Sequence, residues 1–139
     1  MKKLMIICFF LTLLVILGCE EKQDPSAKNT DETVVEGHGY VENIELFEQF
    51  YSNVKNNKKA EVNIFYIGKD GSNVEANVYY DTNNINITLS QGGSIFEAYS
   101  CERIYKNGKS NQVNYYVNDC HGDSIKGPGE IILLESNSP

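Results

Sequence analysis

The sequence predicts an α+β fold: one N-terminal amphipathic helix packed on a mostly antiparallel meander sheet of about six strands. Three observations predict it. The stretch "VENIELFEQFYSNVKNNKK" carries apolar residues at helical spacing. From Ala60 onward the apolar residues recur at every second position instead. Short segments rich in Gly, Asp and Asn punctuate those alternating runs, as hairpin turns require.

Residues 1–18 read as a lipoprotein signal peptide. Lys2 and Lys3 precede an apolar run from Leu4 to Leu17, broken only by Thr12. As a helix that run reaches about 21 Å, short of the roughly 30 Å hydrocarbon core, so a membrane-spanning helix is not expected. The run ends Ile16-Leu17-Gly18-Cys19. Ile16 fits a general secretory cleavage site poorly, because that site wants a small side chain there. It fits a bacterial lipobox, in which a thiolate takes a diacylglyceryl group. Leu17 stands where small residues are commoner. Cys19 is therefore the expected lipidation site, carrying acyl chains such as palmitate, each buried methylene worth about 0.8 kcal/mol.

Residues 19–33 read as a lipidated, disordered tether. "EEKQDPSAKNTDET" has no aliphatic side chain larger than Ala and many charges. Residues 34–135 form the expected single globular domain, and 136–139 a short tail. In the helix, Ile44, Phe47, Phe50, Tyr51 and Val54 make one stripe. Asn43 is the expected N-cap, its side chain accepting from early backbone N–H groups. Acids near the helix start and Lys55, Lys58 and Lys59 near its end complement the dipole. The lysines read as a charged helix end in preference to a binding patch.

The expected strands are Ala60–Gly68, Asn73–Tyr80, a run through Ile85, Ile87 and Leu89, Ile95–Tyr105, Gln112–Asp119 and Glu130–Glu135. "KDGS", "DTNN" and "QGGS" turn the chain, and "HGDSIKGPG" reads as a long turn.

Of the four cysteines, Cys8 leaves with the signal and Cys19 is acylated. Cys101 and Cys120 remain as a pair in an oxidising compartment, and a disulfide is expected. If the two are directly opposed, Tyr105 faces Tyr116 and Arg103 faces Asn118, with a loop over about 107–114. A tight Asn107-Gly108 turn would instead set Cys101 opposite Asn114. The covalent constraint favours the first register, or a bridge between non-facing positions.

The net charge of −7 over 139 residues argues against a nucleic-acid partner, whose binders carry basic patches. It argues equally against electrostatic attraction to anionic lipid, so the membrane is met through the lipid on Cys19. No catalytic constellation is legible. There is no GxSxG, and "QGGS" lacks the helix and Lys of a phosphate loop. "DCHGD" around His121 invites a metal reading, but no second close ligand pair accompanies it. No cofactor or metal is therefore expected. His38 in "EGHGY" reads as a tight turn ahead of the helix, or as a loop at a site. Tyr66, Tyr79, Tyr80, Tyr99, Tyr105, Tyr115 and Tyr116 suit either a binding surface or sheet filling, with filling favoured.

The strings "VVEGHGYVENIELFEQFYSNV" and "NNKKAEVNIFYIGKDGSNVEANVYYD", followed by the two late cysteines, resemble the domain-of-unknown-function family 4362 of small Firmicute lipoproteins. The likeness extends over essentially the whole mature domain. It departs at Gly71-Ser72-Asn73, where the family has Gly-Asp-Pro, and at 91–97, which is less basic here. The resemblance implies a surface lipoprotein and lends no activity. The expected protein is thus a lipid-anchored, extracytoplasmic binding module of the cell envelope, not an enzyme, with an unknown protein or envelope partner. The alternatives are an envelope-glycan hydrolase using paired carboxylates and a surface immunity or inhibitor protein.

Overall fold

The computed structural model describes residues 32–109 and 112–137. Cys19, the expected signal peptide and nearly all of the expected tether lie outside them. The elements run β1 (Thr33–Gly37), β2 (Tyr40–Glu42), α1 (Ile44–Lys55), β3 (Ala60–Ile67), β4 (Asn73–Tyr80), β5 (Ile85–Gln91), β6 (Ser94–Cys101), β7 (Arg103–Lys109), β8 (Gln112–Gly122) and β9 (Ile125–Asn137).

The expected α+β class is overturned. The domain is mostly β, a nine-stranded sheet ordered β2-β1-β3-β4-β5-β6-β8-β7, with β9 on the far edge of β8. The sheet curls into a nearly closed, barrel-like shape with one short helix. That helix is not N-terminal among the elements, since β1 and β2 precede it. The reason is local. Only Val34 and Val35 mark β1, too few apolar residues to show a period. Its pairing is also non-local: β1 lies parallel to β3, from Thr33↔Asn63 to Gly37↔Ile67. The other strand pairs are antiparallel.

The stretch "EGHGY" is a two-residue hairpin turn. Gly37 pairs with Tyr40, and His38 and Gly39 between them both have positive φ, 51° and 85°. That is the left-handed conformation tight hairpins demand, and Gly meets it without strain. Gly37 also has no room for a side chain, because a Cβ there would sit 2.8 Å from the Cβ of Ile67.

Helix α1 buries the stripe expected of it. Phe47 and Phe50 lie in the core, with Ile44, Tyr51 and Val54 packed against it. Asn43 does occupy the N-cap position, but not as an acceptor. It takes a left-handed conformation, φ 55°, and makes no side-chain cap bond. Its Nδ2 donates instead to the Thr33 carbonyl at 2.9 Å, tying the helix start to β1.

The C-terminal half follows the disulfide register. Arg103 faces Asn118, Tyr105 faces Tyr116, and pairing continues to Lys109↔Gln112. Asn107-Gly108 is therefore strand, not turn, and the loop is tighter than expected. On β6, Tyr99 faces Gly122 and Ser100 faces His121 in the same register. The expected single strand over 95–105 breaks at Glu102, so that β6 and β7 form a bent ribbon along one edge of β8. β9 is longer than expected. The hairpin closes at Gly122↔Ile125, and β9 follows β8 back with three register shifts, which bend it.

The core is one cluster. Val34, Val62, Ile64, Ala76, Val78, Ile85, Ile87, Ile104, Tyr115, Val117, Leu133 and Leu134 fill the inside of the curl, with Cys101 and Cys120 among them.

Candidate functional site at the open end of the sheet

Alternation places Tyr66, Val74, Ile87, Leu89 and Tyr99 on the inner face of β3 to β6. α1 packs against the rest of this core through Phe47 and Phe50. Beside β9 the inner face remains open as an apolar groove of about 280 Å³, lined by Tyr66, Val74, Ile87, Leu89, Tyr99, Ile131, Ile132 and Leu133. Ile132 is 48% exposed at its edge. On the β5–β6 hairpin, Ile95 and Phe96 are also exposed, at 69% and 55%. Singly exposed apolar side chains are ordinary on a protein surface, and it is the contiguous, concave lining of the groove that marks a contact site.

A cavity of about 320 Å³ with a mixed polar and apolar lining adjoins the groove and shares Tyr66 and Val74 with it. β1 contributes Glu36 and Gly37, the β1–β2 turn His38 and Gly39, the β3–β4 loop Gly68, Lys69 and Ser72, and β9 Glu135. Tyr66 divides the two compartments. Its hydroxyl donates to the Leu133 carbonyl at 2.6 Å. Burial and the neighbouring Glu36 charge both hold that hydroxyl in its protonated form.

Glu36 is the most perturbed acid in the cavity. Burial pushes its carboxyl up from 4.5 to about 7. A hydrogen bond from the Glu135 backbone N–H opposes the rise, and the Glu135 charge adds to it. A carboxyl that titrates near neutral pH beside a second carboxylate in a cleft can hold or release a proton there, or accept a cation.

A second cavity, of about 410 Å³, lies at the other end, where Val54, Lys55, Arg103 and Tyr105 meet. Its charges are exposed and engaged: the Arg103 guanidinium ion-pairs with Asp119, and Lys55 sits 5.9 Å from the Tyr51 ring centre.

The sequence-predicted residues fall as follows. Cys101 and Cys120 are joined, directly opposed with Cα atoms 3.9 Å apart, and both are buried in the core. The Cys120 sulfur is thus committed to the bond. His121 is exposed, and among the described residues no group of three His, Cys, Asp or Glu side chains has metal-binding geometry. His38 is both the hairpin turn and part of the cavity wall. The tyrosines divide: Tyr80 and Tyr115 are core, Tyr105 and Tyr116 stack with centroids 5.1 Å apart, and Tyr66 and Tyr99 line the groove. Glu36 and Glu135 were not legible as a site. They lie at opposite ends of the domain sequence, and only the return of β9 past β1 brings them together.

Fold and site together define a small, curled β-sheet domain with an amphipathic mouth: an apolar groove and, across Tyr66, an adjoining cavity that holds a half-buried carboxylate. The chain belongs to the family described as Domain of unknown function (DUF4362), whose model matches residues 31–116, more than half of its length. The match stops at Tyr116, so β9, Glu135 and Cys120 lie beyond it, and it is shorter than the likeness drawn from the sequence. No curated protein and no solved structure matches the chain.

Proposed function

We propose that this protein is a lipid-anchored, extracytoplasmic binding module of the cell envelope, held through Cys19 and binding its partner at the open mouth of the sheet. The observation that carries the binding reading is the groove itself. An apolar, concave surface with a few convergent polar groups is the usual form of a ligand site, and the mouth of a barrel-like sheet is a usual place for one. The anchoring reading rests on Lys2, Lys3, the apolar run and Ile16-Leu17-Gly18-Cys19. Among the described residues no helix is long and apolar enough to cross a membrane.

Two experiments test this. Cys19→Ala should abolish metabolic lipid labelling and release the protein from the membrane fraction; full labelling with unchanged fractionation refutes the anchor. Envelope material captured by the tagged full chain should be lost with Ile132→Asp, a change at an exposed groove residue, while the melting temperature is kept. Capture indifferent to that change refutes the groove as the binding site.

A second reading, an envelope-glycan hydrolase, has one observation in its favour: Glu36, raised to about 7, beside Glu135. A carboxyl kept protonated near neutral pH beside a second acid is what acid-base glycoside cleavage uses. Release of reducing ends from envelope glycan by the unaltered chain, and not by Glu36→Gln, would establish it.

A further inference from the structure

We propose that the mouth is a binding site for a small amphipathic amine, its apolar body in the groove and its protonated amino head beside Glu36 and Glu135. This deepens the binding reading above and rests on it.

Two features select the ligand. The first is continuity. Tyr66 lines both compartments, and the Glu36 charge acts on its hydroxyl. A ligand laid across Tyr66, with its apolar part against Leu89 and Ile132, directs its head into the adjoining cavity that Glu36 lines. The second is charge. Arg103 pairs with Asp119 and Lys106 with Glu48, both away from the mouth. Glu36 and Glu135 repel each other without such a partner. The other ionisable groups facing Glu36 are Tyr66 on β3, held neutral, His38 on the β1–β2 turn and Lys69 on the β3–β4 loop. His38, Lys69 and Glu135 are exposed, so water screens them, and the half-buried Glu36 dominates the charge of the head site. An ammonium head would neutralise the repulsion. A carboxylate or phosphate head would add a third negative charge, and a neutral head would leave the two acids as they are. The acidic chain as a whole, net −7, also favours a cation over an anion.

The test uses the full chain held in phospholipid nanodiscs, with empty discs as blanks. It is titrated calorimetrically with hexylamine, hexanol and hexanoate. Hexylamine should bind at least ten-fold tighter than hexanol, and hexanoate should not bind. Glu36→Gln should weaken hexylamine at least ten-fold and leave hexanol unchanged. Glu135→Gln should weaken hexylamine by a smaller factor. Hexylamine affinity should fall as the pH is lowered below 7, while hexanol affinity stays flat. Thermal melts confirm that each variant is folded. Equal affinity for hexylamine and hexanol overturns the proposal. So does unchanged hexylamine binding by both glutamine variants. If hexanol binds, and Ile132→Asp abolishes it, while neither glutamine variant alters hexylamine, amine selection falls and the binding mouth stands. If none of the three probes binds and envelope capture ignores Ile132→Asp, both fall together.

Discussion

At Glu36, burial and a second carboxylate push the same way, against ionisation. The unfolded chain titrates this group near 4.5 and the folded chain near 7. Between those values the folded form binds more protons. Its contribution therefore falls as the pH rises through that window, and the penalty is complete above 7. The whole shift would convert to about 3 kcal/mol, but the site is half open to solvent, and screening reduces this to on the order of 1 kcal/mol. Glu36→Gln should thus raise the melting temperature at pH 8 by about 4 °C and change it little at pH 4.5. Calorimetry at the two pH values checks this, and a difference independent of pH contradicts it. Nothing near Glu36 in the sequence announces the perturbation, because "VVEG" holds one acid and its electrostatic neighbour arrives with the last strand. His38 was readable as a turn from its flanking glycines. That the turn also walls a cavity was not, since the opposite wall is the β3–β4 loop.

At the scale of elements, α1 is joined to the sheet by packing and by one polar bridge. Phe47 is fully buried, with its ring centre 4.7 Å from that of Tyr115 and 5.7 Å from that of Phe50. Phe47→Ala should cost about 3–5 kcal/mol through lost burial and a cavity. A denaturation midpoint close to that of the parent would show that the helix does not seal the core. The bridge is Glu48. Burial alone would raise its carboxyl, but hydrogen bonds from Lys106 and Tyr115 outweigh this and hold it below the usual range. Lys106 Nζ lies 2.8 Å away on β7, and the buried Tyr115 hydroxyl also donates to it. Glu48→Ala strands that hydroxyl and should cost about 1–3 kcal/mol. The same variant combined with Tyr115→Phe should recover part of the loss, a non-additivity that urea unfolding of the single and double variants measures. The helix was legible because its stripe is local and five residues long. β3, β4 and β5 were legible because each alternates over seven or eight residues against a neighbour one turn away. β1 and β2 were not, because short strands draw their definition from pairing partners rather than from a period of their own.

The molecule as a whole is closed by its C-terminal third. β8 touches β6 and β7 along one edge and β9 along the other. Cys101–Cys120 fastens the bent β6–β7 ribbon to β8 at its corner, beside Glu102. The bond closes a loop with a sequence separation of 19, for which chain entropy gives roughly 3 kcal/mol. Reduction, or the Cys101→Ser and Cys120→Ser double change, should lower the melting temperature by several degrees. β8 and β9 should then lose hydrogen-exchange protection ahead of β3 and β4. Equal protection throughout would show that the bond is not what holds this corner. The pairing of these two cysteines followed from chemistry, and their facing register was one of the arrangements left open, whereas the curl was not legible at all. Curl depends on how β9 bends through its register shifts and returns past β1, and a repeat of two along each strand carries no information about that path. That return is what creates both halves of the mouth.

β1 is the first strand of the domain, yet it is an interior one. Hydrogen-bond ladders to β2 and β3 grip its two sides, and the Asn43 side chain holds the carbonyl of its first residue. Any tug transmitted along the chain from ahead of Glu32 reaches β1 first. It meets two ladders strained together, not an outer strand that can be peeled away bond by bond. The domain thus resists a pull on its front end in shear, through two ladders that must give way together.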